Sequence, residues 1–362
     1  MTDEAPERTQ PGRRRRRWLL AAWLPLAILA GIPLLVWCST PRFRPSPVPE
    51  PNGYDALLRA ARSIQGPIPN QGEIGSASLE ELRSWVEANL GALRDADEAL
   101  DLPSGVPLSF SPSDDETILA DTGAFRMLGR LMLADAIVAH QDGRVADSAL
   151  RSIASIRLAR QSSRNGTSMH WLTGMAIEDG CGLEGIRRIR DDLDPDLRRE
   201  LLRRLREFEA DRPDVEEVIA RDRAWGEARL SRRTRVVLRV VPSVRRTMQA
   251  LAVPAYDAMR DADRRNAASR RLLMIDLAIR SYRDRVGSLP DRLEDLAPEE
   301  LPSVPTDPFA DGPPVDRVLD GGDSSQLDSV GPEGKDDGGE RYPKGEDWSK
   351  TPGDLGVDRP DR

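Results

Sequence analysis

The stretch Arg13–Arg17 runs straight into Trp18–Cys38, 21 residues without a single charge. An apolar run of about 20 residues is what a helix needs to cross the hydrocarbon core of a bilayer. The sequence therefore predicts a transmembrane helix over 18–38. Arginines before the span, with only Arg42 and Arg44 close behind it, place the amino terminus on the cytoplasmic side. Trp18 and Trp37 stand at the two ends, where indole rings favour the headgroup layer. The alternative is a cleaved signal peptide, but its apolar core is shorter and its cleavage site small. Here a bulky Trp37 precedes Cys38. The expected localisation is the bacterial inner membrane, single-pass and signal-anchored, with the bulk of the chain extracytoplasmic and the lipid bilayer as a partner through 18–38.

Beyond the span, composition points to packed helices. Aromatic residues are only 4% of the chain, so the core must be built from Leu, Ala, Val and Ile. Fifty arginines stand beside three lysines, and the net charge of −8 is unevenly spread. From Asp291 onward 20 acidic residues face eight basic ones. No broad basic face suited to nucleic acid emerges. Cys38 and Cys181 make no disulfide framework.

The expected organisation is a cytoplasmic basic segment 1–17, the span 18–38, and a proline-rich linker 39–51. A helical domain follows over 52–255, then a long helix plus module over 256–340, and a disordered acidic tail 341–362. Pro41, Pro45, Pro47, Pro49 and Pro51 favour an extended spacer. Asn52–Gly53 opens a helix to about Ile64. Ser78-Leu79-Glu80-Glu81 has capping-box spacing, with Leu79, Leu82, Val86 and Leu90 behind it. Met127, Leu131, Ala134 and Val138 make one stripe, and Asp142–Gly143 a turn. Ala146, Ala149, Leu150, Ile153 and Ile156 make a second stripe, and Leu172, Ala176, Leu183, Ile186 and Ile189 a third. Asp194–Pro195 predicts a helix start, with Leu197, Leu201, Leu205 and Phe208 on its buried face. Short turns between such helices imply antiparallel hairpins. The segment His140–Ala149 is similar to the inter-helix turn of a tetratricopeptide repeat, but no period near 34 residues recurs. Arg232–Arg246 interleaves arginines with valines. It reads as a solvated helix or strand face broken at Pro242, with an anionic lipid surface as the alternative. A last long helix is expected from about Tyr256 to Val286.

After that helix come Gly287-Ser-Leu-Pro290, Leu293-Glu-Asp-Leu296, Pro305-Thr-Asp307-Pro308-Phe309 and Leu327-Asp-Ser329-Val-Gly331-Pro-Glu-Gly334-Lys-Asp336-Asp337-Gly338-Gly339. In order and spacing these resemble the carboxy-terminal module of the major pseudopilin of type II secretion. The resemblance covers about 70 residues. It implies a helix leading into a small sheet, and a glycine-rich loop that holds calcium near Glu333, Asp336, Asp337 and Asp347. The competing reading of the loop is a solvated acidic tail, and the sequence commits to no cofactor and no metal. The prepilin leader of that family is absent and a helical insert separates anchor from module, so the module is read as pseudopilin-like, on a different anchored protein.

Catalytic chemistry finds few carriers. His140 and His170 are the only histidines, read as a helix-end cation and a packing residue. Neither a phosphate loop nor a nucleophile elbow is present. Gly174, Gly180, Gly182 and Gly185 suggest close helix packing. The chain is thus expected to be mainly α, with a small α+β module, and to be a non-enzymatic interaction or assembly protein with a protein partner. An enzyme of envelope metabolism with a carboxylate site, or a cleaved periplasmic protein, is the alternative.

Overall fold

A computed structural model describes residues 43–69, 74–109, 114–319, 324–340 and 353–357. The fold is mainly α-helical. Helices α1 (Gly53–Arg62), α2 (Leu79–Ala88) and α3 (Leu90–Leu100) lead into the long α4 (Asp114–Gln141) and α5 (Val145–Ser163). Then α6 (Ser168–Ile177) continues through a π-helical turn, Glu178–Leu183, into α7 (Glu184–Ile189). Helices α8 (Pro195–Ala210), α9 (Val215–Arg229), α10 (Arg232–Val240) and the 45-residue α11 (Pro242–Val286) follow. A short 3-10 turn, Leu293–Leu296, precedes a three-stranded antiparallel sheet of β1 (Val315–Leu319), β2 (Ser324–Ser329) and β3 (Leu355–Gly356).

Local chemistry explains where the helices begin. Asn52 caps α1 by accepting from the Tyr54 amide at 3.2 Å. Ser78 and Glu81 form the expected reciprocal box at α2. Asp194 accepts from the Leu197 amide at 2.8 Å, with Pro195 in the first turn of α8. Each side chain satisfies an amide that the first helical turn leaves without a partner. The turn at Gly143, in the left-handed region at φ 76°, reverses the chain between α4 and α5. Asp135 and Arg151 lie equally far from that turn and pair at 2.7 Å, as an antiparallel hairpin requires.

The chain divides into two units. The larger comprises Pro45–Arg223 and Pro254–Arg362, and the smaller contains Ala224–Val253. Within the larger unit one apolar core joins α1 to α4, around Tyr54, Phe125, Leu131 and Met132. A second joins α5, α7, α8 and α11 to the carboxy-terminal module through Leu293, Leu296, Leu301, Leu327 and Val357. Three glycines of the third predicted helix, Gly174, Gly182 and Gly185, do serve close packing. A side-chain carbon on Gly182 would lie 2.4 Å from Ile156 Cγ1, and one on Gly185 would lie 2.2 Å from Ser152 Oγ.

Several expectations are corrected. The predicted span 18–38 lies outside the described residues. Among the described residues no helix is long and apolar enough to cross a membrane. The longer helices fail because they are ionic: α4 carries Asp121, Arg126, Arg130 and Asp135, and α11 has arginines throughout. The membrane-spanning architecture thus finds no support among the described residues, and the single-pass, signal-anchored function, the bilayer as a partner through 18–38 and the inner-membrane localisation are withdrawn with it. At a finer level, Leu79 and Leu90 do not join the stripe of Leu82 and Val86; both are exposed, Leu79 at the first position of α2 and Leu90 beyond the bend at Asn89 between α2 and α3. The last helix begins at Pro242 rather than near Tyr256, and carries Pro254 inside it. Within the stretch expected to be a disordered acidic tail, Asp354 and Val357 are buried and Leu355–Gly356 pairs with β2.

Gly182→Ala should destabilise the protein by about 1–3 kcal/mol, since the added methyl meets Ile156 and backbone. Gly123→Ala, with nothing within 4 Å, should stabilise it by about 0.5–1 kcal/mol. Urea unfolding of the two variants checks both signs.

Candidate functional site

The two histidines take structural places. His140, at the end of α4, sits with Nε2 2.7 Å from Asp192. His170 is 1% exposed. Its Nδ1 accepts from the Thr167 amide at 3.3 Å and lies 3.0 Å from Thr167 Oγ1, closing the cap of α6. Its Nε2 lies 3.5 Å from the Tyr54 hydroxyl, which in turn is 3.5 Å from Asp121. Burial pushes the His170 pKa down to about 4. Burial, then the neighbouring Asp121, raises that of Tyr54.

The distinctive chemistry lies elsewhere, where α5, α6, α8 and α11 meet. Arg270 of α11 is 0% exposed. Its Nη1 donates to Glu178 and, at 3.3 Å, to Asn266 Oδ1. Its Nε donates to Glu209 at 2.6 Å, and Nη2 donates to the same carboxylate. Burial lowers the Arg270 pKa, but Glu178 and Glu209 outweigh burial and hold it above the ordinary value. The other Glu209 oxygen accepts from Arg271 Nε at 2.9 Å. Beside this pair, Arg212 donates to Asn266 Oδ1 at 2.7 Å and to Asp263, with its guanidinium 5.3 Å from the centre of the Trp171 ring. Arg160 of α5 donates from Nη2 to the Phe208 carbonyl at 2.7 Å, while Nε stands 3.7 Å from Glu178.

A recess of about 210 Å3, open mouth included, is lined by Arg160, Trp171, Met175, Glu178, Arg212 and Ser163. Its polar lining is incompletely satisfied. Nε and Nη1 of Arg160 and Nε1 of Trp171 are buried without a hydrogen-bond partner in the protein. Burial pulls the Arg160 pKa down, and the charges of Arg270 and Arg212 add to that pull. An arrangement of this kind presents positive charge and N–H donors to a small enclosed space.

The carboxy-terminal motifs are brought together as one unit. Asp307 of the Asp-Pro-Phe step accepts from Ser329 Oγ at 2.8 Å, from the Val330 amide at 3.0 Å and from the Phe309 amide at 3.0 Å. The loop implied to hold calcium is otherwise occupied. Arg317 donates to Asp328 at 2.6 Å and to Asp336, and lies 3.8 Å from Asp354. Glu333 accepts from the Gly353 amide at 2.8 Å, and Asp354 from the Gly339 amide at 2.6 Å. Asp347 lies outside the described residues. Among the described residues no group of three or more His, Cys, Asp and Glu is placed to hold a metal ion, so these residues do not fit calcium. The guanidinium of Arg317 supplies the positive charge instead.

Comparison of the chain with protein families, with curated proteins and with solved structures finds no match. The site therefore rests on its own geometry. Arg270, Glu178, Arg160, Arg212 and Trp171 escaped the sequence reading. One signal was available: Arg270 is spaced at i+3 and i+7 from Leu273 and Leu277, both fully buried, and so occupies a core-facing position.

Arg270→Met should destabilise the protein by about 3–5 kcal/mol, because Glu178 is left as a buried charge without its partner. Adding Glu178→Gln should restore part of the loss, as read by denaturant unfolding. For His170 the depressed folded-state pKa means neutral imidazole is favoured in the fold. Its contribution is present above about pH 6.5 and is lost as the pH falls toward 4. The unfolding free energy should drop by about 3 kcal/mol over that window, and His170→Gln should remove this part of the pH dependence.

Proposed function

We propose that this protein is a non-enzymatic binding protein that docks an acidic protein partner on the surface of Ala224–Val253. The observation that carries the reading is a concentration of exposed apolar side chains among arginines. Of the fourteen large exposed apolar residues among the described residues, seven lie within 237–253: Val237, Val240, Val241, Val244, Met248, Leu251 and Val253. Leu251 is 79% exposed. Isolated exposed apolar residues are ordinary, whereas such a grouping marks an interaction surface.

Charge decides the class of partner. Between Ala228 and Tyr256 there are seven arginines and no acidic residue. Arg239 is taken by Glu227 at 3.0 Å, and Arg235 by the carbonyls of Ala228 and Leu230. Arg232, Arg233, Arg245 and Arg246 remain exposed around the apolar positions. Val244, Met248 and Leu251 recur at i, i+4 and i+7 on α11, the spacing with which a helix fits a groove. No aromatic residue lies between Gly226 and Ala255, although lipid-facing amphipathic helices usually carry them. A protein surface with an acidic rim therefore fits better than a bilayer.

The carboxy-terminal module is read, in the same proposal, as pseudopilin-like. Supporting it is the direct bonding of Asp307 to Ser329 and Val330, which links two of the motifs that carry the resemblance.

A photocrosslinker placed at Leu251, with exposed Leu150 as the control position, tests the docking surface. The expected result is a discrete adduct with an acidic protein from Leu251 only. It should weaken as salt rises above about 0.15 M and vanish in a variant with Arg232, Arg233, Arg245 and Arg246 changed to Glu. Equal labelling from both positions, labelling of lipid alone, or labelling only of a second copy would sink the reading. Turnover of a substrate by the purified chain would overturn its non-enzymatic part.

A further inference from the structure

The recess beside Glu178 has features that neither the proposed docking surface nor the stability of the helical core uses. Four guanidinium groups meet here, those of Arg160, Arg212, Arg270 and Arg271. They face three carboxylates, Glu178, Glu209 and Asp263. Glu178 and Glu209 are both engaged by Arg270, and Asp263 by Arg212. Arg160 is left with Glu178 at 3.7 Å from Nε and with no partner on Nη1. The other carboxylate acting on it is that of Asp211, which is exposed.

Buried guanidinium groups ordinarily carry their full complement of acceptors, because an unpaired N–H inside a protein keeps none of the hydration it has lost. Three such donors occur together on residues that line one recess: Nε and Nη1 of Arg160 and Nε1 of Trp171, whose ring is 5% exposed. Arg212 lies over the Trp171 ring, lines the same recess and adds its charge there. The enclosed part of the recess has room for about one water-sized body. A small body that accepts N–H donors fits this space, and the guanidinium groups of Arg160 and Arg212 favour a negative one.

We propose that this recess binds a single small monovalent anion of chloride size, held by Arg160 and Trp171 and backed by Arg212. Water would satisfy the donors but add nothing to the charge of Arg160, which Glu178 at 3.7 Å and exposed Asp211 meet only loosely, whereas chloride does both. Glu178, whose carboxylate is drawn to Arg270, sets the size limit: a larger or doubly charged anion would meet it directly. The bound ion ties α5 and α6 to Arg212, just past the end of α8, and so fastens the cluster around Arg270.

The test uses the full chain. Chloride replaces gluconate at constant ionic strength while the thermal midpoint is followed, and crystals grown in bromide are examined for anomalous scattering. The expected result is a saturable rise of the midpoint with chloride and a bromide peak within hydrogen-bonding distance of Arg160 Nη1. Trp171→Phe, which keeps the ring but removes the N–H, should weaken the halide by roughly tenfold. Arg160→Met should abolish the chloride response while the protein remains folded in gluconate. An ordered water with no bromide peak in the recess would overturn the proposal. So would a chloride response that persists in both variants, because it would arise elsewhere on this arginine-rich surface. Since Arg160 and Trp171 lie outside Ala224–Val253, loss of the chloride response leaves the docking result standing, and the converse holds.

Discussion

A guanidinium that has lost all contact with water must be surrounded by acceptors, and the packing of the larger unit is arranged around that demand at Arg270. Four hydrogen bonds from its three nitrogens reach Glu178 on the π-helical turn, Glu209 at the end of α8 and Asn266 one turn back on α11. Moving such a group out of water costs several kcal/mol, and an apolar replacement often serves net stability as well. The interaction therefore contributes alignment more than stability. Only one axial and rotational setting of α11 brings Arg270 opposite both carboxylates at once. Leu273 and Leu277, on the same face, then fall into the second core. The neighbouring Arg212, Arg160 and Arg271 extend the same constraint outward, each sharing an acceptor with Arg270 and adding one of its own: Asp263, the Phe208 carbonyl and the Thr306 carbonyl.

Much of the helical layout was legible because it is written in short-range chemistry. The caps at Asn52, Ser78 and Asp194 need only the residue and its next turn. The glycines at 174, 182 and 185 needed only their spacing to indicate close contact, and the structure places them against α5. Less was readable where tertiary context decides. Pro242 was expected to break a segment, yet proline fits the first turn of a helix, where its missing N–H is not needed. The charge of Arg270 hid its core position, since arginine on a helix is normally solvated. The unpartnered donors of the recess involve residues from 160 to 212, and no local pattern announces such a meeting. Location rested on one apolar run, 18–38, which lies outside the described residues, and among those residues no helix is long and apolar enough to cross a membrane.

The carboxy-terminal module is held together by a few charged side chains, each with fixed partners. Asp307, Ser329 and Gly331 are held as one hydrogen-bonded corner. The acidic loop next to it, by contrast, closes on Arg317 from β1. Asp328, Asp336 and Asp354 come from β2, the loop and the start of β3, so a single side chain fastens three separate parts of the sheet. The buried Leu327 and Val357 then join the sheet to the helical core.

The π-helical turn at Glu178–Leu183 has a meaning for how this sequence can change. Each residue turns an α-helix by about 100°, and a π turn absorbs one extra residue without breaking the run. Glu178 can then face Arg270 while Leu183, Ile186 and Ile189, downstream, still face the core. The turn acts as a phase adjuster between the face that carries Glu178 and the apolar face that carries Leu183, Ile186 and Ile189. Loss of a single residue there would leave a more regular helix and a misdirected one, with either the ionic cluster or the apolar stripe rotated away from its partners. Descendants of this chain can exchange exposed side chains such as Met169 and Ala176, but neither the glycines that meet α5 nor the length of the join between α6 and α7.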